Sequence, residues 1–201
     1  MKSSQSKAKR WRLPLAMAAM LAAGSSWAQW QLESADSSVN FVSIKNASIA
    51  ENNSFGSLQG SIDAAGAVQL SIELDSVTTG IEIRDERMRA MLFETVEFPT
   101  VSVSADVSPD ILDAVTAGGA VTTELPVKVA LHGFEKSLLI SVRAVGHAGG
   151  SLHVFTPKPV LLNAADFGLA AGIVALQEIA GLNSINTVVP VTVNLVFNRA
   201  P

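Results

Sequence analysis

Few side chains in this sequence are equipped for chemistry. The 201 residues include no Cys, no Tyr and only three His. His132, His147 and His153 lack metal-ligand spacing, and without thiolates they would need carboxylates to hold a transition metal. The stretch Gly56-Ser57-Leu58-Gln59-Gly60 puts its Ser second rather than third, so it fails the G-x-S-x-G nucleophile pattern. No glycine-rich phosphate loop occurs, and Glu94 and Glu97, flanked by Phe93 and Phe98, read as a solvated edge. No nucleophile–base pair is visible, so no catalytic residue and no metal ligand is expected.

The densest polar cluster is Thr78-Thr79-Gly80-Ile81-Glu82-Ile83-Arg84-Asp85-Glu86-Arg87-Met88-Arg89, with six charges between Glu82 and Arg89. Thr79 and Glu82 have capping-box spacing, which predicts a helix start. At about 100° per residue, Ile81, Met88 and Leu92 share one face, with Met91 beside them. Arg84 and Asp85 fall on that same face. An unpaired charge turned inward is costly. Arg84 and Asp85 are therefore expected to clamp the helix to its neighbours through hydrogen bonds, with Thr79 as the third clamp residue. Glu82, Glu86 and Arg89 lie to the side.

The rest of the chain must position that cluster, and its dominant period is two. Leu70, Ile72 and Leu74 alternate with polar residues, as do Val101 and Val103, Val129 and Leu131, and Val191, Val193, Leu195 and Phe197. Each run reads as a strand with one dry face. Weaker strands are expected around 39–44, 55–62, 138–145 and 152–156, contributing Val39, Phe41, Ile140, Val142 and Val154 to the same interior. Turn signals at Ala64-Ala65-Gly66, Gly118-Gly119, His132-Gly133 and Gly149-Gly150 separate the runs. About eight strands with short turns imply an all-β antiparallel barrel or sandwich in one domain. Leu169 to Leu182 breaks the alternation; it carries a single charge and is expected to be a short apolar helix lying against something dry.

The first 28 residues have a different character. Lys2, Lys7, Lys9, Arg10 and Arg12 precede an apolar run from Leu13 to Ala23, and Ser26-Trp27-Ala28 offers small residues for signal cleavage. A cleaved signal peptide over residues 1–28 is expected, with residues 29–201 as the mature domain. Its loss removes five of the 14 basic residues and none of the 18 acidic ones, leaving nine against eighteen, formally −9. Such a chain has no electrostatic footprint for nucleic acid. With no Cys to carry a lipid, no stable membrane anchor is expected, and a Gram-negative periplasm is the expected address, with full secretion as the alternative.

Several segments together resemble the YceI-like, polyisoprenoid-binding periplasmic proteins. They are Ser38-Val39-Asn40-Phe41, Phe55 with Leu58-Gln59-Gly60, and Thr79 followed by Arg84-Asp85, Met88-Arg89, Phe93 and Phe98-Pro99. Leu131-His132-Gly133-Phe134-Glu135-Lys136 and Asn163 with Asp166-Phe167-Gly168 complete the series. Many members carry His before the first-strand Ser; here Ser37 stands there, so no His-dependent role transfers. The segment after Gly168 also looks longer and more apolar than usual for the family. The resemblance implies a lipocalin-like eight-stranded antiparallel β-barrel with one or two short helices. It further implies non-enzymatic binding, transport or storage of a polyisoprenoid or related lipid, a quinone or prenyl chain, with no cofactor beyond that lipid. Should a second copy complete the tunnel, a homodimer is expected. The competing expectation is a periplasmic stress or interaction protein with a filled barrel, acting through its acidic surface.

Overall fold

The computed structural model of the protein describes residues 28–200. The expected leader therefore lies outside the described residues, except for Ala28, which begins the first strand. Twelve strands are present: β1 Ala28–Leu32, β2 Ser38–Lys45, β3 Ile49–Phe55, β4 Leu58–Asp63, β5 Ala67–Glu73, β6 Val77–Thr78, β7 Thr100–Asp106, β8 Ala120–Leu131, β9 Phe134–Gly146, β10 Ser151–Phe155, β11 Val160–Asn163 and β12 Val188–Arg199. They make eight staves, because four staves are interrupted. A 3-10 turn at Ser34–Asp36 splits β1 from β2, Gly56-Ser57 splits β3 from β4, a 3-10 turn at Leu74–Ser76 splits β5 from β6, and residues 156–159 split β10 from β11. Pro157 and Pro159 in the last gap have no amide to donate to a ladder.

All pairings are antiparallel, and the sheet closes because β12 pairs with β10 and β11 on one side and with β1 and β2 on the other. This is a closed eight-stranded antiparallel barrel. The registers explain its dry interior. Leu70 stands opposite Val103, which stands opposite Val129; Val39 pairs with Val193 and Val154 with Leu195. Residues directly opposite share a face, so each run of alternating aliphatics adds a row to one continuous inner wall. The β8–β9 hairpin turns through His132 and Gly133, both at positive φ (52° and 77°), the backbone that matches strand twist in a two-residue loop. A turn that the sequence did not announce joins β2 to β3 through Asn46 and Ala47, also at positive φ.

Among the described residues three short helices close the ends: α1 Glu82–Arg87, α2 Pro109–Thr116 and α3 Ala170–Ile179. The helix α2 was not anticipated. It begins after Ser108 with Pro109 in its first turn and buries Leu112 and Val115. It presses so closely on β9 that a Cβ on Gly146 would lie 1.6 Å from the Val115 carbonyl oxygen. At the opposite end, α1 continues directly into a π-helical segment, Met88–Phe93, and α3 packs across it. The i→i+5 pattern brings Phe93 beneath Met88, and both are buried. A regular α-helix would have turned Phe93 sideways.

The capping box does not form. The residue before α1 is Ile81, with no side-chain cap. Thr79 instead engages Asp85, whose Oδ1 accepts from both the Thr79 amide (2.9 Å) and the Thr79 hydroxyl. Asp85 thus takes the Thr79 amide that Glu82 would have accepted in a capping box. The expected strand at 55–62 is likewise two strands, broken at Gly56-Ser57, and Leu74 reaches the core from a 3-10 turn instead of a strand.

Candidate functional site

Inside the barrel the side chains do not meet at the axis. Three abutting cavities of about 150, 180 and 80 Å³ run from the α1–α3 end to the α2 end. The upper and middle cavities share Val39, Ile72, Val101, Val129 and Val191. The middle and lower ones share Val142, Val154 and Leu195. Phe41, Leu74 and Leu131 belong to the upper part, Leu70, Val103, Ile140 and Val193 to the middle, and Phe197 to the lower. Each of the sixteen interior positions singled out in the sequence lines at least one of these three cavities.

Other lining residues were not foreseen. Leu125, Leu138, Val160 and Leu162 come from the strands. Met88, Leu92, Phe93, Phe167 and Ile173 come from the helical end, and Ile111, Leu112 and Val115 from α2. The upper cavity is lined by apolar side chains throughout, and Thr156 is the sole polar residue lining the middle one. Phe41, Phe55 and Phe93 stack in sequence near the top, with centroids 5.3 and 5.8 Å apart. A wall of this kind gives water nothing to bond to. Apolar cavities of around 150 Å³ stay dry and accept apolar guests. At the far end Trp30 is 1% exposed beneath the Arg199 guanidinium, 5.5 Å from its ring centroid.

The tunnel opens upward, past Phe41, Met88, Leu92, Ile173 and Val189, into a vestibule of about 330 Å³. Its walls come from α1, β2, β3 and α3. The clamp residues lie in this wall. Arg84 donates from Nε to the Thr79 hydroxyl (2.7 Å), from one terminal nitrogen to the Thr79 carbonyl (2.6 Å) and from the other to Glu51 on β3 (2.6 Å). Lys45 on β2 donates to the second oxygen of that same carboxylate at 2.9 Å. Hydrogen bonding from Lys45, with the nearby Arg84 charge, holds the Glu51 carboxyl below its ordinary range against a smaller opposing effect of burial. Arg84 and Asp85 do not bond to each other in this arrangement; both converge on Thr79, which is 9% exposed.

None of the three His lines the tunnel or its mouth. His132 bonds Glu94 at 2.9 Å, so that carboxylate has a partner; His153 bonds Asn194; His147 lies exposed in the β9–β10 turn. Among the described residues no group of three or more His, Asp or Glu could hold a metal ion, and no helix is long and apolar enough to cross a membrane.

A closed eight-stranded barrel whose inner wall encloses an apolar void defines a lipocalin-like hollow barrel. Residues 30–197 match the YceI-like domain, and the chain belongs to that family. A polyisoprenoid binding domain from Saccharophagus degradans, implicated in plant cell wall breakdown, is 33% identical, with a TM-score of 0.83, covering 87% of this chain and all of that one. BcnA of Burkholderia cenocepacia, at 17% identity and TM-score 0.59, covers 82% of this chain and 98% of its own. The Campylobacter jejuni YceI protein, at 15% and 0.53, covers 79% and 90%. These last two share the fold. No curated protein sequence matches the chain.

Proposed function

We propose that this protein binds a polyisoprenoid or related lipid, a prenyl chain or the tail of a quinone, inside the barrel. The observation that carries the reading is the row of three abutting apolar cavities inside the barrel, supported by the likeness to a polyisoprenoid binding domain. Branched aliphatic walls offer methyl contacts and no hydrogen bonds, which suits methyl-branched isoprene units and rejects polar guests. Burying roughly four isoprene units, about twenty carbons, is worth on the order of 16 kcal/mol before entropy costs. If about half survives, the affinity is micromolar. Binding needs no chemical step, and the protein acts as a non-enzymatic carrier or store, exported to the periplasm as its basic and apolar leader suggests.

The test is native mass spectrometry and organic extraction of protein purified from its own host. A stoichiometric prenyl lipid is expected. Protein that is folded and reproducibly free of lipid contradicts the reading.

A further inference from the structure

The wall around the middle cavity has a seam. From Phe134 to Val142, β9 pairs with β8 along one edge, and its ladder to β10 begins only at Arg143. The continuation of the β10 stave, β11, pairs with β12. Among the described residues no ladder joins β9 to β11, whereas the other neighbouring staves around this cavity are ladder-bonded. The cause lies in residues 156–159. Pro157 and Pro159 have no amide to donate, and the amide and hydroxyl of Thr156 are both engaged with Val193 on β12. Inside the seam, Leu138, Ile140 and Val142 from one edge and Thr156, Val160 and Leu162 from the other line the same cavity, and all six are half-buried. Side chains close the wall here. Outside, each edge carries a leucine, Leu139 at 64% and Leu161 at 66% exposure, and no other leucine among the described residues is exposed. The slot is bounded above by Phe134, whose ring lies so near Gly168 that a Cβ there would stand 2.5 Å from it, and below by the Arg143–Phe155 pair. The floor of the barrel offers no such gap, because Trp30, Val115 and Phe197 are fully buried there.

We propose that this seam is a side port, through which an isoprenoid chain longer than the tunnel passes its surplus out of the barrel between Leu139 and Leu161. This rests on the tunnel reading above and names its substrate class as long polyprenyl chains. Parting β9 from β11 breaks no ladder bond, whereas parting any ladder-bonded pair of staves would strand backbone donors and acceptors. A hydrocarbon chain filling the slot replaces the side-chain contacts that are lost and asks for no hydrogen bond in return. The two exposed leucines give the emerging segment an apolar lip.

The test compares geranylgeraniol with undecaprenol, which share a hydroxyl head and an isoprenoid chemistry but differ in length. The chain has no Cys, so introduced thiols report on their own positions. Alkylation of Leu161→Cys by a water-soluble maleimide is expected to slow severalfold when undecaprenol is bound and to be unchanged with geranylgeraniol. Bridging Leu139→Cys and Leu161→Cys with a short bis-maleimide should weaken undecaprenol binding at least about tenfold relative to the unbridged double variant, and leave geranylgeraniol unaffected. Protection of Ile179→Cys, on the vestibule rim, without protection of Leu161→Cys would send the surplus out of the mouth and overturn the port. Equal effects of the bridge on the two alcohols, including none, also overturn it. So does binding of geranylgeraniol with no binding of undecaprenol, which would make the row of cavities a blind pocket. Each of these outcomes leaves the tunnel reading standing. If folded protein binds neither alcohol, the tunnel reading itself fails.

Discussion

Arg84 ties three separate pieces of chain together: its own helix, the Thr78-Thr79 strand end and β3. Truncation to Ala leaves the Thr79 carbonyl and the Glu51 carboxylate without this donor, in a wall where water only partly replaces it. We expect Arg84→Ala to cost about 1–3 kcal/mol, measured by chemical denaturation; an unchanged midpoint would mean these contacts are solvated equivalents. Glu51 adds a pH signature. Its carboxyl is held below the ordinary range, so its contribution is complete above the unfolded-state pKa and disappears as pH falls through the lower folded value. Wild type should exceed Glu51→Gln in stability at neutral pH, and the gap should close on acidification below the usual carboxylate range. A gap that persists in strong acid would contradict the bridge. The sequence marked Arg84 and Asp85 as inward-turned charges in need of partners, but it could not identify those partners. Glu51 lies on β3, far from Arg84 in the chain, and no local spacing encodes their meeting.

At the scale of elements, the two ends of the barrel were unequally legible. Alternation exposed the inner wall because a strand with one dry face has a period of two whichever neighbours it takes. The α2 helix escaped notice because Ile111-Leu112-Asp113-Ala114-Val115 is short and lies between apolar strands; Ser108-Pro109 was the available start signal. The π-helical turn was hidden because a 100° period was assumed, whereas Phe93 faces inward only with the wider turn. Gly172 offers a test of how α3 seats on that turn. A Cβ there would stand 2.6 Å from the Met91 carbonyl oxygen and 2.8 Å from the Leu92 Cα, both backbone atoms that cannot rotate away. Gly→Ala inside a helix normally stabilises by about 1 kcal/mol. Here Gly172→Ala is expected to destabilise by about 1–3 kcal/mol and to raise amide exchange in α3, because the helix must lift off its seat. Stabilisation of the ordinary sign would show that α3 is held loosely.

For the molecule as a whole, the barrel surrounds an apolar void, and the Lys45–Glu51–Arg84 cluster stands at one end of it. Fold and inner wall were readable because the same alternation that drives strand formation also selects the wall. Whether that wall enclosed a void was not readable, since side-chain volume alone does not say whether opposite walls touch. Val193 sits in the middle cavity, paired with Val39 across the β2–β12 ladder. An indole there would fill the space that a prenyl chain needs without disturbing the strand. The most direct measurement is therefore the binding of geranylgeraniol to wild type and to Val193→Trp, with circular dichroism to verify that both are folded. The account expects one-to-one micromolar binding to wild type and a loss of at least tenfold in the variant. Equal binding by two equally folded proteins would place the lipid outside the tunnel and contradict it.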